Sequence, residues 1–209
     1  MNLPVGNEMS EFARALIHSR QHVAPRRLVA PGPSPAQLQT ILDAAAAAPD
    51  HGQLLPWRFV IVPGDKREVL ASVFGLALAD RDPQATTEQV ENAREKAHRA
   101  PFLMLAIARL AGSHPDIEAA RARSGELEIS DAERLVSLGC AIQNVLLSAH
   151  AMGLGTGLTS GQALACPQLR ALFGLQAHEQ AVCFVNIGTV SKGKPPRLRP
   201  EVEAFVSSL

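Results

Sequence analysis

The chain has 209 residues, with Lys plus Arg and Asp plus Glu balanced at 20 each, and 46% apolar against 19% charged residues. That length suffices for one packed core, a single domain over 1–209, and the composition is that of an ordinary globular chain. The charge balance leaves no global field to hold nucleic acid or an anionic membrane, so neither is expected as a partner. The three cysteines, Cys140, Cys166 and Cys183, are odd in number and form no CxxC pair. A disulfide framework or cysteine zinc site is therefore not expected, and a reducing cytoplasm fits. The segment MNLPVGNEMSEF has no basic stretch followed by an apolar run, so no signal peptide is expected. Polar residues or glycine break every apolar stretch short of a membrane span.

Residues 9–19 read as a short helix with Phe12, Leu16 and Ala15 inward, followed by a proline-rich loop over 20–33 that carries three arginines. Ser34 is an N-cap with Pro35 at the first helical position. The helix over 35–48 presents Leu38, Ile41, Leu42 and Ala45 on one face and stops at Pro49. WRFVIV, 57–62, reads as a buried strand. A helix over 65–79 follows, then a polar helix over roughly 83–99 that covers the site or the dimer rim. FLMLAIARL, after Pro101, is a second central strand, and 111–128 has no assignment. Ser130, with Glu133 three residues on, opens a helix over 131–152 as a capping box. That helix carries Leu135, Leu138, Ile142, Val145, Leu146 and Ala149 and is apolar over most of its circumference, as expected of a helix buried on more than one side. GLGTGLTSG, 153–161, reads as the end of that helix with Gly153 as its left-handed cap. A short helix over 166–173 and the strand AVCFVNIGTV, 181–190, lead to a basic, extended tail. The order is that of a helix-rich α+β chain with three or four strands.

Conventional catalytic patterns are absent. No HxH or HExxH pair, GxSxG elbow or phosphate-binding Walker loop occurs, and the lone cysteines read as small hydrophobes. Gly153-x-Gly155-x-Gly157 is superficially like a dinucleotide fingerprint, but it follows a helix where the fingerprint needs a strand-to-helix turn. Three segments nevertheless carry chemistry. In Ser19-Arg20-Gln21-His22, Arg20 can grip a phosphate bidentately, or it can simply be a solvated charge at the end of a helix. In Ala48-Pro49-Asp50-His51-Gly52-Gln53-Leu54-Leu55-Pro56-Trp57, a loop is held by proline at both ends. His51 can donate a ring N–H, and Gln53 can both donate and accept, or His51 and Trp57 can be core residues. Trp57 is read as core. In 153–161, the glycines let backbone approach a flat ring.

These three segments, in this order and followed by a strand ending in glycine and a basic tail, resemble the nitroreductase family, particularly its small single-domain bacterial NAD(P)H nitroreductases. The resemblance implies an α+β fold with a central, mostly antiparallel sheet flanked by helices, a long buried central helix and an extended C-terminal tail. It also implies FMN as cofactor and NAD(P)H as electron donor. FMN contacts would fall on Arg20, Gln21 and His22, on Ala47, His51 and Gln53, and on Leu158, Thr159 and Ser160. The basic tail, Lys192, Lys194, Arg197 and Arg199, with Arg197 as the preferred residue, would supply further charge to the phosphate, or would simply be solvated. Departures from the family pattern are Leu55, where glutamine is usual, and Leu158-Thr159, where Trp-Arg is frequent. Ser148–Gly153 matches a stretch sometimes given to the nicotinamide nucleotide. The family's homodimer, with flavin sites between subunits, would cover the apolar helix, and a small-molecule acceptor would take electrons in ping-pong turnover. No residue is expected to be catalytic in the acid–base sense, since the cofactor carries the hydride chemistry. The same motifs suit a flavin-processing or dehalogenating relative and a flavin storage or sensing protein, while a plain α+β interaction domain would need none of them.

Overall fold

The computed structural model describes residues 6–111, 129–193, 195 and 198–209. The expected unassigned stretch and Arg197 lie outside these residues. Among the described residues six α-helices appear in chain order: α1 (Asn7–Ser19), α2 (Pro35–Ala46), α3 (Arg67–Arg81), α4 (Thr87–Arg94), α5 (Asp131–Ala151) and α6 (Pro167–Leu172). Five strands accompany them: β1 (Leu28–Val29), β2 (Trp57–Ile61), β3 (Phe102–Arg109), β4 (Gly155–Thr159) and β5 (Glu179–Val190). The strand order is β1-β5-β3-β2, with β4 also paired to β5, and every pairing between these strands is antiparallel. No helix among the described residues is long and apolar enough to cross a membrane.

Helix starts follow local chemistry. Ser34 and Gln37, Thr86 and Gln89, and Ser130 and Glu133 form reciprocal capping boxes that satisfy otherwise orphaned N–H groups. At the end of α5, Gly153 has φ +79° and Leu154 N–H donates to the Ala149 carbonyl at 3.0 Å, the expected left-handed cap.

β3 is an unbroken apolar run because both faces of the sheet are covered. Met104, Val185 and Ile187 pack with Ile41, Leu138 and Val145 of α2 and α5. Leu103, Leu105 and Ile107 point to the other face and pack with Leu70, Leu169 and Phe184. Leu105, Met104, Val145 and Ile187 have no exposed surface. Arg67, buried at the start of α3, ties this second layer together by donating to the carbonyls of Val62 (3.0 Å) and Ala97 (2.6 Å).

Two expectations need correction. Residues 155–159 form a strand, and Leu28–Val29 adds a short one, so the sheet has five strands. Glycine repeats and two-residue strands carry no apolar alternation, so their pairing is set by β5 and by neighbours distant in sequence. In addition, α1 buries none of its residues, and Phe12 is 60% exposed, because its main neighbour is α5 alone. The α5 face bearing Leu135 and Val136 is likewise open, with Val136 65% exposed. The opposite face, Leu138, Ala141, Ile142, Val145 and Ala149, is buried as expected.

Candidate functional site

Backbone meets backbone where the first and third sequence segments come together. His22 forms a parallel bridge with Thr156, and Val23 N–H donates to the Thr156 carbonyl at 2.8 Å. The approach is so close that a Cβ on Gly157 would lie 2.1 Å from the Val23 carbonyl oxygen. Gly157 thus has a packing reason to be glycine, and that contact holds 20–23 against β4. Leu158 and Thr159 continue the same strand, and Ser160 follows it, exposed. β5 fixes Thr159 from the other side. The Asn186 amide, buried to 1%, donates to the Gly157 carbonyl and to Thr159 Oγ1, both at 3.1 Å.

Arg20 lies at the end of α1, half-buried. Its Nε is buried without a hydrogen-bond partner. Arg199 folds back from the tail and donates to the Arg20 carbonyl at 3.1 Å. Burial first, and then the positive charge of Arg199, pushes the Arg20 guanidinium below its ordinary pKa. Two cations that converge with a donor left unsatisfied among the described residues could hold a dianion such as phosphate. The residues present therefore fit the phosphate end of FMN. Gln21 and His22 follow, with Gln21 half-buried and both lining a cavity of about 260 Å³ beside Ser19 and His150, which share a 2.7 Å hydrogen bond.

The second segment sits elsewhere. Asp50 organises it, accepting the N–H of Leu54 at 3.1 Å through Oδ1 and that of Leu55 at 2.7 Å through Oδ2. Between them Gln53 and Leu55 adopt φ +51° and +46°, conformations that non-glycine residues adopt at a cost. Such strain persists only where surroundings over-determine it, and it clusters at ligand clamps. His51, Gln53 and Leu55 are exposed, as is Ala47 at the α2 C-cap. His51 Nδ1 lies 3.5 Å from Glu133 Oε1, which leaves Nε2 as the ring's second hydrogen-bonding position. The Glu133 carboxylate is held below its ordinary pKa, first by the Ser130 N–H, then by the Ser130 hydroxyl, with His51 a smaller contributor.

These contacts put the two expected halves of the site at opposite ends of α5. His51 pairs with Glu133 in the first turn, whereas Ser19, next to Arg20, bonds His150 in the last. At a rise of about 1.5 Å per residue, the two ends are separated by about 25 Å. Within one protomer, therefore, segment 20–23 lies against the β4 residues Thr156 and Gly157, while Ala47, His51 and Gln53 do not join it.

A cavity of about 650 Å³ opens between α3, α4 and the loop after β4. Thr159, Ser160 and Gly161 form one wall, α4 another, and Phe74 and Phe184 belong to its floor, their rings edge-to-face with centroids 5.6 Å apart. A cavity of this size, with an apolar floor and a few polar rim groups, is typical of a small-molecule site. Among the described residues, no group of three or more His, Cys, Asp or Glu side chains is placed to hold a metal ion. Burial pushes the Cys183 thiol up to about 11, which makes it a buried apolar group rather than a nucleophile.

Two organising residues were missed in the sequence: Asp50 and Asn186. Asn186 had left a signal, as a lone amide inside an otherwise apolar strand. Asp50 had one too, beside a proline and just before a glycine. Arg199 is among the four tail cations that the sequence offers to the phosphate, and Arg197 was preferred to it.

Known proteins share the family and the fold of this chain. The model of the nitroreductase family matches residues 20–189. "Putative NAD(P)H nitroreductase YdjA" of Escherichia coli K12 is 31% identical over 165 residues, 78% of this chain and 81% of that protein. A "Putative NAD(P)H nitroreductase" of Haemophilus influenzae is 30% identical over 164 residues, 78% of this chain and 82% of that one. In structure, the chain is similar to a nitroreductase-like family protein from Bacillus cereus, with TM-score 0.77, 17% identity and coverage of 100% and 98%. It is also similar to an NADPH:FMN oxidoreductase from Vibrio harveyi complexed with NAD+, with TM-score 0.64, 18% identity and coverage of 93% and 76%. With four-fifths of the chain matched from Arg20 to Thr189, and with the α+β fold shared, the protein belongs to the nitroreductase family.

Proposed function

We propose that the protein is an FMN-dependent oxidoreductase that passes electrons from NAD(P)H to an electron-poor organic acceptor such as a nitro compound or quinone, by ping-pong turnover in a homodimer. The observation that carries this reading is the convergence of Arg20, with its unpartnered buried Nε, and Arg199 at the junction of segment 20–23 with β4. The names of the relatives, NAD(P)H nitroreductase and NADPH:FMN oxidoreductase, point the same way.

FMN, when bound, supplies the chemistry that accepts hydride from the nicotinamide and reduces the acceptor. The chain supplies position and field. Arg20 and Arg199 hold the phosphate, with Arg197 as a further tail cation. His22 and Gln21 line the approach from that end. Asn186 fixes Thr159, so that Leu158, Thr159 and Ser160 present a rigid edge to the ring. Donor and acceptor use the cavity under α4 in turn, and its apolar floor excludes water.

The separation along α5 supports the homodimer. One FMN cannot span about 25 Å of helix, but two copies of α5 packed antiparallel about a two-fold axis bring the 51–53 loop of one protomer to the Arg20 end of the other. Ala47, His51 and Gln53 then complete the partner's site. The exposed apolar residues Phe12, Val136 and Phe205, the last 69% exposed, supply the surface such an interface covers.

The test is an anaerobic absorbance spectrum of FMN-soaked, desalted protein before and after NADPH and then NADH. The expected result is one retained flavin per protomer that bleaches on reduction. A retained band that never bleaches overturns the enzyme reading in favour of flavin storage, and a colourless protein overturns flavin binding itself. A monomer that retains FMN in sedimentation overturns the shared site.

A further inference from the structure

The loop that carries His51 and Gln53 has an unfavourable backbone form, and part of what holds it there lies outside the loop. Gly52, Gln53 and Leu55 have φ of +70°, +51° and +46°. A non-glycine residue at positive φ returns to the ordinary region unless its surroundings hold it. From within the loop, the Asp50 carboxylate accepts the Leu54 and Leu55 N–H groups. From outside, Arg109 at the end of β3 grips the two carbonyls that close the loop. Its Nη1 donates to the Leu55 carbonyl at 3.2 Å, and its backbone N–H donates to the Pro56 carbonyl at 2.9 Å.

Arg109 is itself anchored. It stands opposite Glu179 in the β3–β5 register, and its Nε lies 3.7 Å from Glu179 Oε1. Arg134 of α5, 6% exposed, donates to the Arg109 carbonyl at 3.4 Å. Arg58 of β2 binds the same Glu179 carboxylate through Nε and Nη2, both at 2.7 Å, and reaches the Phe173 carbonyl at 3.4 Å. The two arginines therefore share an anchor and differ in what else they hold: Arg58 reaches the turn before β5, whereas Arg109 reaches the loop.

We propose that Arg109 is a positioning residue for the flavin: it keeps the 51–53 loop of one protomer in the form in which His51 and Gln53 meet the FMN of the partner. The assignment rests on the flavin reading, and Arg109 acts in it through the Leu55 carbonyl rather than by touching the cofactor. Only molecules whose loop has that form bind, so the apparent affinity falls with their fraction. Release of the grip until about one loop in ten is held weakens FMN about tenfold.

The experiment measures FMN dissociation constants by quenching of flavin fluorescence, together with amide hydrogen exchange of the flavin-free proteins. Arg109→Gln should weaken FMN about tenfold and raise exchange at Leu54 and Leu55. Arg109→Lys, which keeps a charged donor for the carbonyl, should restore most of both. Arg58→Gln removes the closer partner of Glu179; it should lower stability in urea yet leave FMN affinity within about twofold and exchange at Leu54 and Leu55 unchanged. In an Asp50→Ala background, where the loop is already free, Arg109→Gln should add less than about twofold. Wild-type FMN affinity or wild-type exchange in Arg109→Gln overturns the proposal. Equal flavin loss in Arg58→Gln also overturns it, because the ion pairs would then only support the sheet, and so do losses that multiply in the double variant. A wild-type protein that binds no FMN refutes the flavin reading separately, and exchange at Leu54 and Leu55 in Arg109→Gln still decides whether Arg109 holds the loop.

Discussion

Replacing Gly157 by alanine places a methyl group 2.1 Å from the Val23 carbonyl oxygen, far inside any real carbon–oxygen contact. The obstacle is backbone on both sides, so no rotamer change relieves it. Either β4 or segment 20–23 moves by about an ångström, and the 2.8 Å bond from Val23 N–H to the Thr156 carbonyl stretches or breaks. Overpacking of this kind costs about 1–3 kcal/mol, and a lost backbone hydrogen bond adds about 1 kcal/mol. We expect Gly157→Ala to lose about 2–4 kcal/mol, or roughly 5–12 °C in Tm for a chain of this size. Gly155→Ala is the internal control. There the added carbon meets the side chains of Val190 at 2.4 Å and Leu28 at 2.8 Å, which can turn aside, so the loss should be smaller. The assay is urea unfolding at fixed protein concentration, followed by the fluorescence of Trp57, the single tryptophan, which is 5% exposed. Because the shift separates Arg20 from Thr159, Gly157→Ala should also lose FMN at concentrations that saturate the wild type. Wild-type stability and FMN affinity in Gly157→Ala, or a larger loss in Gly155→Ala, would refute the close approach as the device that joins the two segments.

Glu179 accepts Nε and Nη2 of Arg58, both at 2.7 Å, and that bond above all holds its carboxyl at about 2, below the ordinary 4.5. A lowered folded pKa means stability that is present above pH 4.5 and lost as pH falls toward 2; the full shift corresponds to about 3 kcal/mol, discounted here to about 2 kcal/mol because Arg58 is partly exposed. Unfolding free energies measured between pH 6 and about 3 should therefore fall less steeply in Glu179→Gln than in the wild type, and parallel slopes would contradict the linkage. Arg67→Met removes donors from the Val62, Ala97 and Ala100 carbonyls and should cost about 3 kcal/mol, with hydrogen exchange rising first in 95–101. Unchanged exchange there would show that the wall stands without it. Asp50→Ala frees the Leu54 and Leu55 N–H groups and should let Gln53 leave its positive φ, weakening FMN binding by about tenfold at a stability cost of about 1–2 kcal/mol. Wild-type flavin affinity in that variant would mean the strained loop does not serve the cofactor.

The elements that the sequence determined are those whose signals are local. Ser34-Pro35, the Ser130 to Glu133 box and the period of Leu138, Ile142, Val145 and Ala149 specify helices through nearest-turn chemistry, and FLMLAIAR specifies a strand buried on both faces, whereas WRFVI, expected to be buried, is a strand at the sheet edge with only Trp57 buried and Ile61 exposed. Gly153 was legible as a left-handed cap for the same reason. The tertiary structure alone decided that 155–159 is a strand, because five residues containing two glycines carry no pattern and their conformation is imposed by β5 and Val23. It alone chose Arg199 as the visible companion of Arg20, since a basic tail reads alike at every position until it folds back. And it separated His51 from Arg20 by the length of α5, something no local rule expresses: sequence motifs record which residue types a site needs, whereas distance along a rigid helix decides which of them one protomer can bring together.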